Sequence, residues 1–140
     1  MNLWRIVLAA LGTFVTYFII GGLWASLPAF RHEFLRYPGV YRPTDSMKSV
    51  MPFGMLAMFL SILALTVLYA MPPAPASGLI QGARFGALIG VFTAGAFVVH
   101  NYVNLQIGIR LTTEQAFVYL FQWTIIGMVI GVIYKPIVAH

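Results

Sequence analysis

The chain has 140 residues, 61% of them hydrophobic and 8% charged, with a mean hydropathy of +0.90. About a quarter of the residues of a soluble domain are charged, so this composition excludes an ordinary water-soluble globule and points to an all-α membrane protein. The net charge of +5 rests on 8 Lys and Arg against 3 Asp and Glu, too sparse for a nucleic-acid stripe and better matched to lipid phosphates, and the lack of cysteine removes disulfides, thiolate nucleophiles and cysteine-held metal centres.

Four apolar runs approach the roughly 20 residues that cross a hydrocarbon core of about 30 Å. They predict one domain over 1–140, a compact four-transmembrane-helix bundle with approximate spans 3–29, 50–70, 79–104 and 114–134. In the first span Trp4 and Arg5 mark one interface and Trp24 lies near the other. Its charged start is a single arginine and its apolar run exceeds that of a signal peptide, so a retained helix is expected. Gly12, Thr13 and Thr16 give it a small-residue face, and Pro28 is placed to stop or kink it.

The segment 30–48 is the longest polar stretch and holds Arg31, His32, Glu33, Arg36, Arg42, Asp45 and Lys48 between aromatic residues. It reads as a loop lying against headgroups, with a turn at Tyr37-Pro38-Gly39 and a cap for the second span at Thr44, Asp45 or Ser46. The second span tolerates Pro52 in its first turn and ends near Tyr69. Met47, Met51, Met55 and Met58 form a stripe that reads as packing, with soft Cu(I) ligation as the sharper alternative. Pro72, Pro73 and Pro75 end this helix and Ser77 can cap the next, which makes spans two and three antiparallel neighbours. Thr112 or Thr113 is expected to cap the fourth span, and Lys135-Pro136 to end it.

The third span organises the rest. At 100° per residue Gly82, Gly86, Gly90 and Ala94 share a face with His100, Asn101 and Asn104, while Arg84 points roughly the other way. The glycines suit close helix contact, as do Gly127 and Gly131 in the fourth span. His100, Asn101 and Asn104, with Gln122 across from them, read as hydrogen-bonding groups that hold helices in register; a polar pocket, proton exchange and haem ligation are the other readings. Arg84 snorkels to headgroups or meets an anion. No paired carboxylates, Ser–His–Asp set, HExxH motif or phosphate loop is present, so nothing argues positively for an enzyme, and no cofactor is expected.

Arg31, Arg36, Arg42, Lys48 and Arg110 fall on one side of a four-span chain, against Arg5 and Lys135 flanking spans on the other. The positive-inside rule then puts the 30–48 loop in the cytoplasm and both termini outside, in a multi-pass protein of the bacterial inner membrane. The strings GGLWASLPAF, GARFGALIG, HNYVN and QWTIIGMVIG resemble small four-helix bacterial membrane proteins of a domain family of unknown function, the DUF1761-like group. That resemblance implies a four-helix membrane fold, with Trp24 and Phe30 in an aromatic motif and Asn101 or Asn104 in a polar one, and implies no reaction. The leading expectation is a structural, assembly or accessory role among membrane lipids, in a homo-oligomer or larger membrane complex. The alternative is a small-solute transporter or channel component, and a third is a proton- or redox-handling membrane enzyme.

Overall fold

The computed structural model describes residues 2–71 and 78–134, and all regular structure among them is helical. The elements are α1 (Leu3–Ser26), α2 (Pro28–Leu35), α3 (Thr44–Ala70), α4 (Leu79–Thr93), α5 (His100–Asn104) and α6 (Ile109–Ile133). A π-helical turn, Ala94–Val99, joins α4 to α5, so that Leu79–Asn104 forms a single span. Four helices are thus long and apolar enough to cross a membrane, the architecture of a multi-pass membrane protein. The proline-rich turn with its Ser77 cap, and the Lys135-Pro136 stop, lie outside the described residues.

Local chemistry sets the helix ends. The Asn2 side chain accepts from the Arg5 N–H at 3.3 Å and caps α1, while Pro28 ends it and becomes the first residue of α2. Two expected caps are corrected. Pro43 is the residue before α3, with no side-chain cap, and Ser46 donates back to the Pro43 carbonyl. Thr112 and Thr113 lie inside α6, which begins at Ile109, and donate to the Gly108 and Ile109 carbonyls. In apolar surroundings a threonine hydroxyl is more easily satisfied by its own helix than by a cap exposed at the end.

The spans stand side by side in the order α3, α1, α6, α4, with α1 packed on both α3 and α6, and α6 on both α1 and α4. The expected pairing of spans two and three is therefore reduced to contact at one end, where Tyr69 meets Phe85 of α4 at 5.2 Å and also Tyr134, just past α6, at 6.2 Å. Around those rings Ile6, Ala9, Trp123, Ile126 and Ile130 form the core. At the other end α3 diverges, and every residue from Met47 to Ala57 is exposed. The methionine stripe is corrected accordingly: Met58 packs against the core, whereas Met47, Met51 and Met55 face outward.

Thr13 is fully buried and its hydroxyl has no hydrogen-bond partner among the described residues. An unmet buried hydroxyl costs about 1–3 kcal/mol, and an apolar group of the same shape removes that cost. Thr13→Val is expected to stabilise the protein by about 1 kcal/mol, read as a raised midpoint in thermal unfolding in detergent.

Candidate functional site

The closest approach in the molecule is between α4 and α6. A Cβ placed on Gly82 would meet the Gly127 carbonyl, and one on Gly86 would meet the Trp123 carbonyl and lie 2.9 Å from Thr124 Cα. A Cβ on Gly90 would lie 2.9 Å from Leu120 Cα, and one on Gly127 would lie 2.6 Å from Gly86 Cα. Gly131 faces Gly82 in the same way, and the Gly78 N–H donates to the Gly131 carbonyl at 2.8 Å. Backbone therefore lies on backbone over about three turns, the geometry by which small residues hold membrane helices together through van der Waals contact. Ala94, the last of the expected series, is half-buried where the π-helical turn begins.

That turn changes the face on which the polar residues fall. A single wide turn accommodates about one extra residue, which rotates everything beyond it by about 100° relative to an uninterrupted helix. The Thr93 hydroxyl is shared between the Ile89 and Gly90 carbonyls at 2.9 and 3.0 Å, satisfying the backbone just ahead of it. The turn thus offsets His100, Asn101 and Asn104 from the glycine face, while the three stay together on one short α-helix, α5. His100 and Asn104 are exposed, and the Asn104 amide donates to the His100 carbonyl of its own helix at 3.1 Å rather than to a neighbour. Asn101 instead lines a cleft together with Gln122.

The cleft has a volume of about 350 Å³. Its floor is α6 between Gln115 and Gln122, two turns or about 10 Å along the axis. One wall is aromatic, from Trp24 at the end of α1 through Phe30 and Phe34 of α2 to Tyr41, with successive ring centroids 6.2, 5.8 and 4.7 Å apart. The facing wall is the π-helical turn and α5, contributing Phe97, Val98 and Asn101. Gln122 is 6% exposed and donates from Nε2 to the Tyr17 carbonyl at 3.1 Å, which ties α6 to α1 at the inner end.

A polar cluster closes the outer end. Glu33 is 2% exposed, with Oε1 at 2.9 Å from Arg36 Nη1 and 3.5 Å from Arg110 Nε. Arg110 also donates to Glu114 at 3.0 Å. Beside this network the Gly108 N–H donates to the Tyr37 hydroxyl at 3.0 Å and Gln115 donates to the Tyr41 hydroxyl at 3.2 Å. The segment expected to lie on headgroups is therefore fastened to the start of α6, through Tyr37, Tyr41 and the Glu33 contact with Arg110. The i,i+3 pair Glu33/Arg36 and the i,i+4 pair Arg110/Glu114 were visible in the sequence, but their meeting depends on α1 lying against α6.

Arg84 is exposed on the side of α4 away from Gly82 and Gly86, with no ion pair or hydrogen bond among the described residues. Of the five residues expected to form a polar group, Asn101 and Gln122 share the cleft, and Arg84, His100 and Asn104 lie outside it. Among the described residues no three His, Asp or Glu side chains gather as a metal site. The cleft is built for binding through rings, amides and hydroxyls, with no nucleophile and no ionised group in its lining. Comparison with protein-family models, curated proteins and solved structures found no match.

Proposed function

We propose that the chain is a non-catalytic accessory protein of the bacterial inner membrane that docks a transmembrane helix of another subunit, or of a second copy, against α3. The observation that carries this reading is an outward-facing series of small residues, Gly54, Ala57, Ser61 and Ala64, all exposed. At 100° per residue they fall within about a quarter of the circumference, turned away from Ile62 and Thr66, which are buried in the chain. Small residues at this spacing form a shallow groove into which a neighbouring helix fits closely, whereas disordered acyl chains fill it poorly. Nothing lies within 4 Å of the Cβ position of Gly54, so the groove is open. Kinship with the DUF1761-like group, resting on the Trp24/Phe30 and Asn101/Asn104 motifs, belongs to the same proposal, as does a cytoplasmic placement of the 30–48 loop.

The absence of cysteine makes single-cysteine variants unambiguous. In native membranes, a benzophenone-maleimide attached to Ser61→Cys is expected to yield a discrete protein adduct on illumination, and the same probe on Leu56→Cys, on another side of α3, is not. Lipid adducts alone at both positions would overturn the assembly reading. For topology, Gly39→Cys is expected to react with a membrane-impermeant maleimide in inside-out vesicles and to stay unlabelled in intact spheroplasts; the reverse pattern would invert the orientation.

A further inference from the structure

The cleft over α6 has a chemistry that the assembly reading does not use. We propose that it binds the head of a neutral membrane-soluble amphiphile, a planar ring bearing carbonyl or hydroxyl oxygens with an apolar tail left in the bilayer, the chemistry of a quinone or quinol. Three features lead there.

The first is unspent hydrogen-bonding capacity. Gln122 and Gln115 each donate once from Nε2, leaving their Oε1 atoms without a donor among the described residues. Asn101 and the Tyr119 hydroxyl make no side-chain hydrogen bond there, and the Tyr41 hydroxyl accepts from Gln115 with its own proton unassigned. Polar groups on a membrane span are costly unless satisfied. Asn101, Tyr41 and Tyr119 offer protons to the carbonyls of a quinone, the Gln Oε1 atoms accept from the hydroxyls of a quinol, and the roughly 10 Å between Gln115 and Gln122 along α6 suits a ring with oxygens at opposite edges.

The second is charge. No Lys, Arg, Asp or Glu lines the cleft. An anion inside it would find no cation, and a cation would face a rim carrying Arg36 and Arg110, which engage Oε1 of Glu33 and of Glu114, while Glu114 Oε2 is buried without a hydrogen-bond partner among the described residues. Burying an unpaired charge is far costlier than burying a hydrogen-bonded neutral group, so a neutral head is selected. The ring series from Trp24 to Tyr41 then favours a flat, conjugated body over a flexible glycerol one.

The third is access. Among the described residues neither α1 nor α2 packs closely on the π-helical turn or α5, so the two walls are joined mainly through α6 and the cleft is partly open. The turn itself builds one wall: it contributes Phe97 and Val98 and carries Asn101 of α5 to the cleft, and such wide turns are frequent at functional sites. A ligand can therefore enter sideways from the lipid with its tail left behind. The volume of about 350 Å³ lies within the usual range of small-molecule sites and suits one ring head.

The test uses the full chain in nanodiscs with decyl-ubiquinone as probe and dioleoylglycerol as the neutral, non-planar comparison. Saturable binding of the quinone is expected, with dioleoylglycerol failing to compete at equal concentration. Asn101→Leu and Gln115→Leu should each weaken it at least tenfold, and Ala25→Phe, which puts a ring into the cleft from α1, should abolish it. Circular dichroism and a monodisperse size-exclusion profile would certify each fold, and Asn101 is exposed enough for its variant to remain folded if another fails. Absence of saturable binding, binding unchanged in the folded variants, or equal competition by dioleoylglycerol would overturn the assignment. The Ser61→Cys adduct reports separately on α3, so failure of one proposal leaves the other standing.

Discussion

Gly127→Ala is expected to lower stability by about 3 kcal/mol, on the order of 10 °C in the unfolding midpoint for a chain of this size. The added methyl would lie 2.5 Å from the Gly86 nitrogen and 2.6 Å from its Cα, and would also meet the Gly82 carbonyl. These neighbours are backbone atoms and cannot swing aside as a side chain can, so α4 and α6 must separate along their whole contact. Gly86→Ala meets the mirror-image obstacle at Trp123 and Thr124. Because either methyl opens the same gap, the double variant should cost clearly less than the sum of the two. Gly54→Ala is the control: nothing lies near its Cβ position, and alanine is the better helix former by up to about 1 kcal/mol. It should be neutral or stabilising, as should Gly22→Ala, whose Cβ position is likewise open. Equal losses in all four variants would mean that glycine content, rather than contact geometry, governs stability.

The rigid α4–α6 pair is the frame on which the cleft is built. Its floor, Gln115 to Gln122, lies on the same helix whose opposite end is fixed by Gly127 and Gly131, so floor and facing wall move as a unit. The aromatic wall is attached differently, through α1 and the polar cluster at Glu33. The two walls of the cleft are consequently held differently, by backbone-close packing on one side and by side-chain packing of α1 on α6 reinforced by hydrogen bonds on the other.

This division also explains what could be read from sequence. Four spans and the glycine faces follow from composition and spacing, because helical periodicity is local and small residues keep their meaning wherever the helix lies. The alignment of the glycine face with His100, Asn101 and Asn104 does not hold because a 100° projection assumes uninterrupted α-helix, and nothing in AGAFVV announces a π-helical turn. The methionine stripe reads as packing because apolar spacing cannot distinguish a protein neighbour from lipid. The aromatic wall is half legible: Trp24 reads as interfacial and the 30–48 segment sets aromatic residues among basic ones, but the succession of Trp24, Phe30, Phe34 and Tyr41 as one surface depends on α2, an eight-residue helix within what reads as loop. The Glu33–Arg110 contact was hidden for a more basic reason, since residues 77 positions apart in the chain are brought together only by the placement of α1 against α6.

Glu33 is where the largest electrostatic effect is expected. Exposed ion pairs contribute little, but this carboxylate is 2% exposed and lies between two guanidinium groups. Its loss removes the negative centre that draws α2 onto α6. Glu33→Gln preserves shape and part of the hydrogen bonding, so a loss of about 1–2 kcal/mol is expected. Glu33→Lys places a third cation among the other two at a desolvated position, and the cost should rise to about 3 kcal/mol or more. Since α2 is tethered locally, the more sensitive readout is proteolysis: trypsin should cut at Arg31 and Arg36 faster in Glu33→Gln and faster again in Glu33→Lys, while Gly127→Ala leaves early cleavage there nearly unchanged. Arg31→Gln alters net charge by one without touching the cluster, because Arg31 is exposed and makes no ion pair among the described residues, and it should leave cleavage at Arg36 near the wild-type rate. Tyr41 closes the outer end of the cleft through the same segment, so Glu33→Lys should also weaken quinone binding while the folded α4–α6 pair persists. Protection from trypsin equal to wild type in Glu33→Lys would show that aromatic packing alone holds α2 in place.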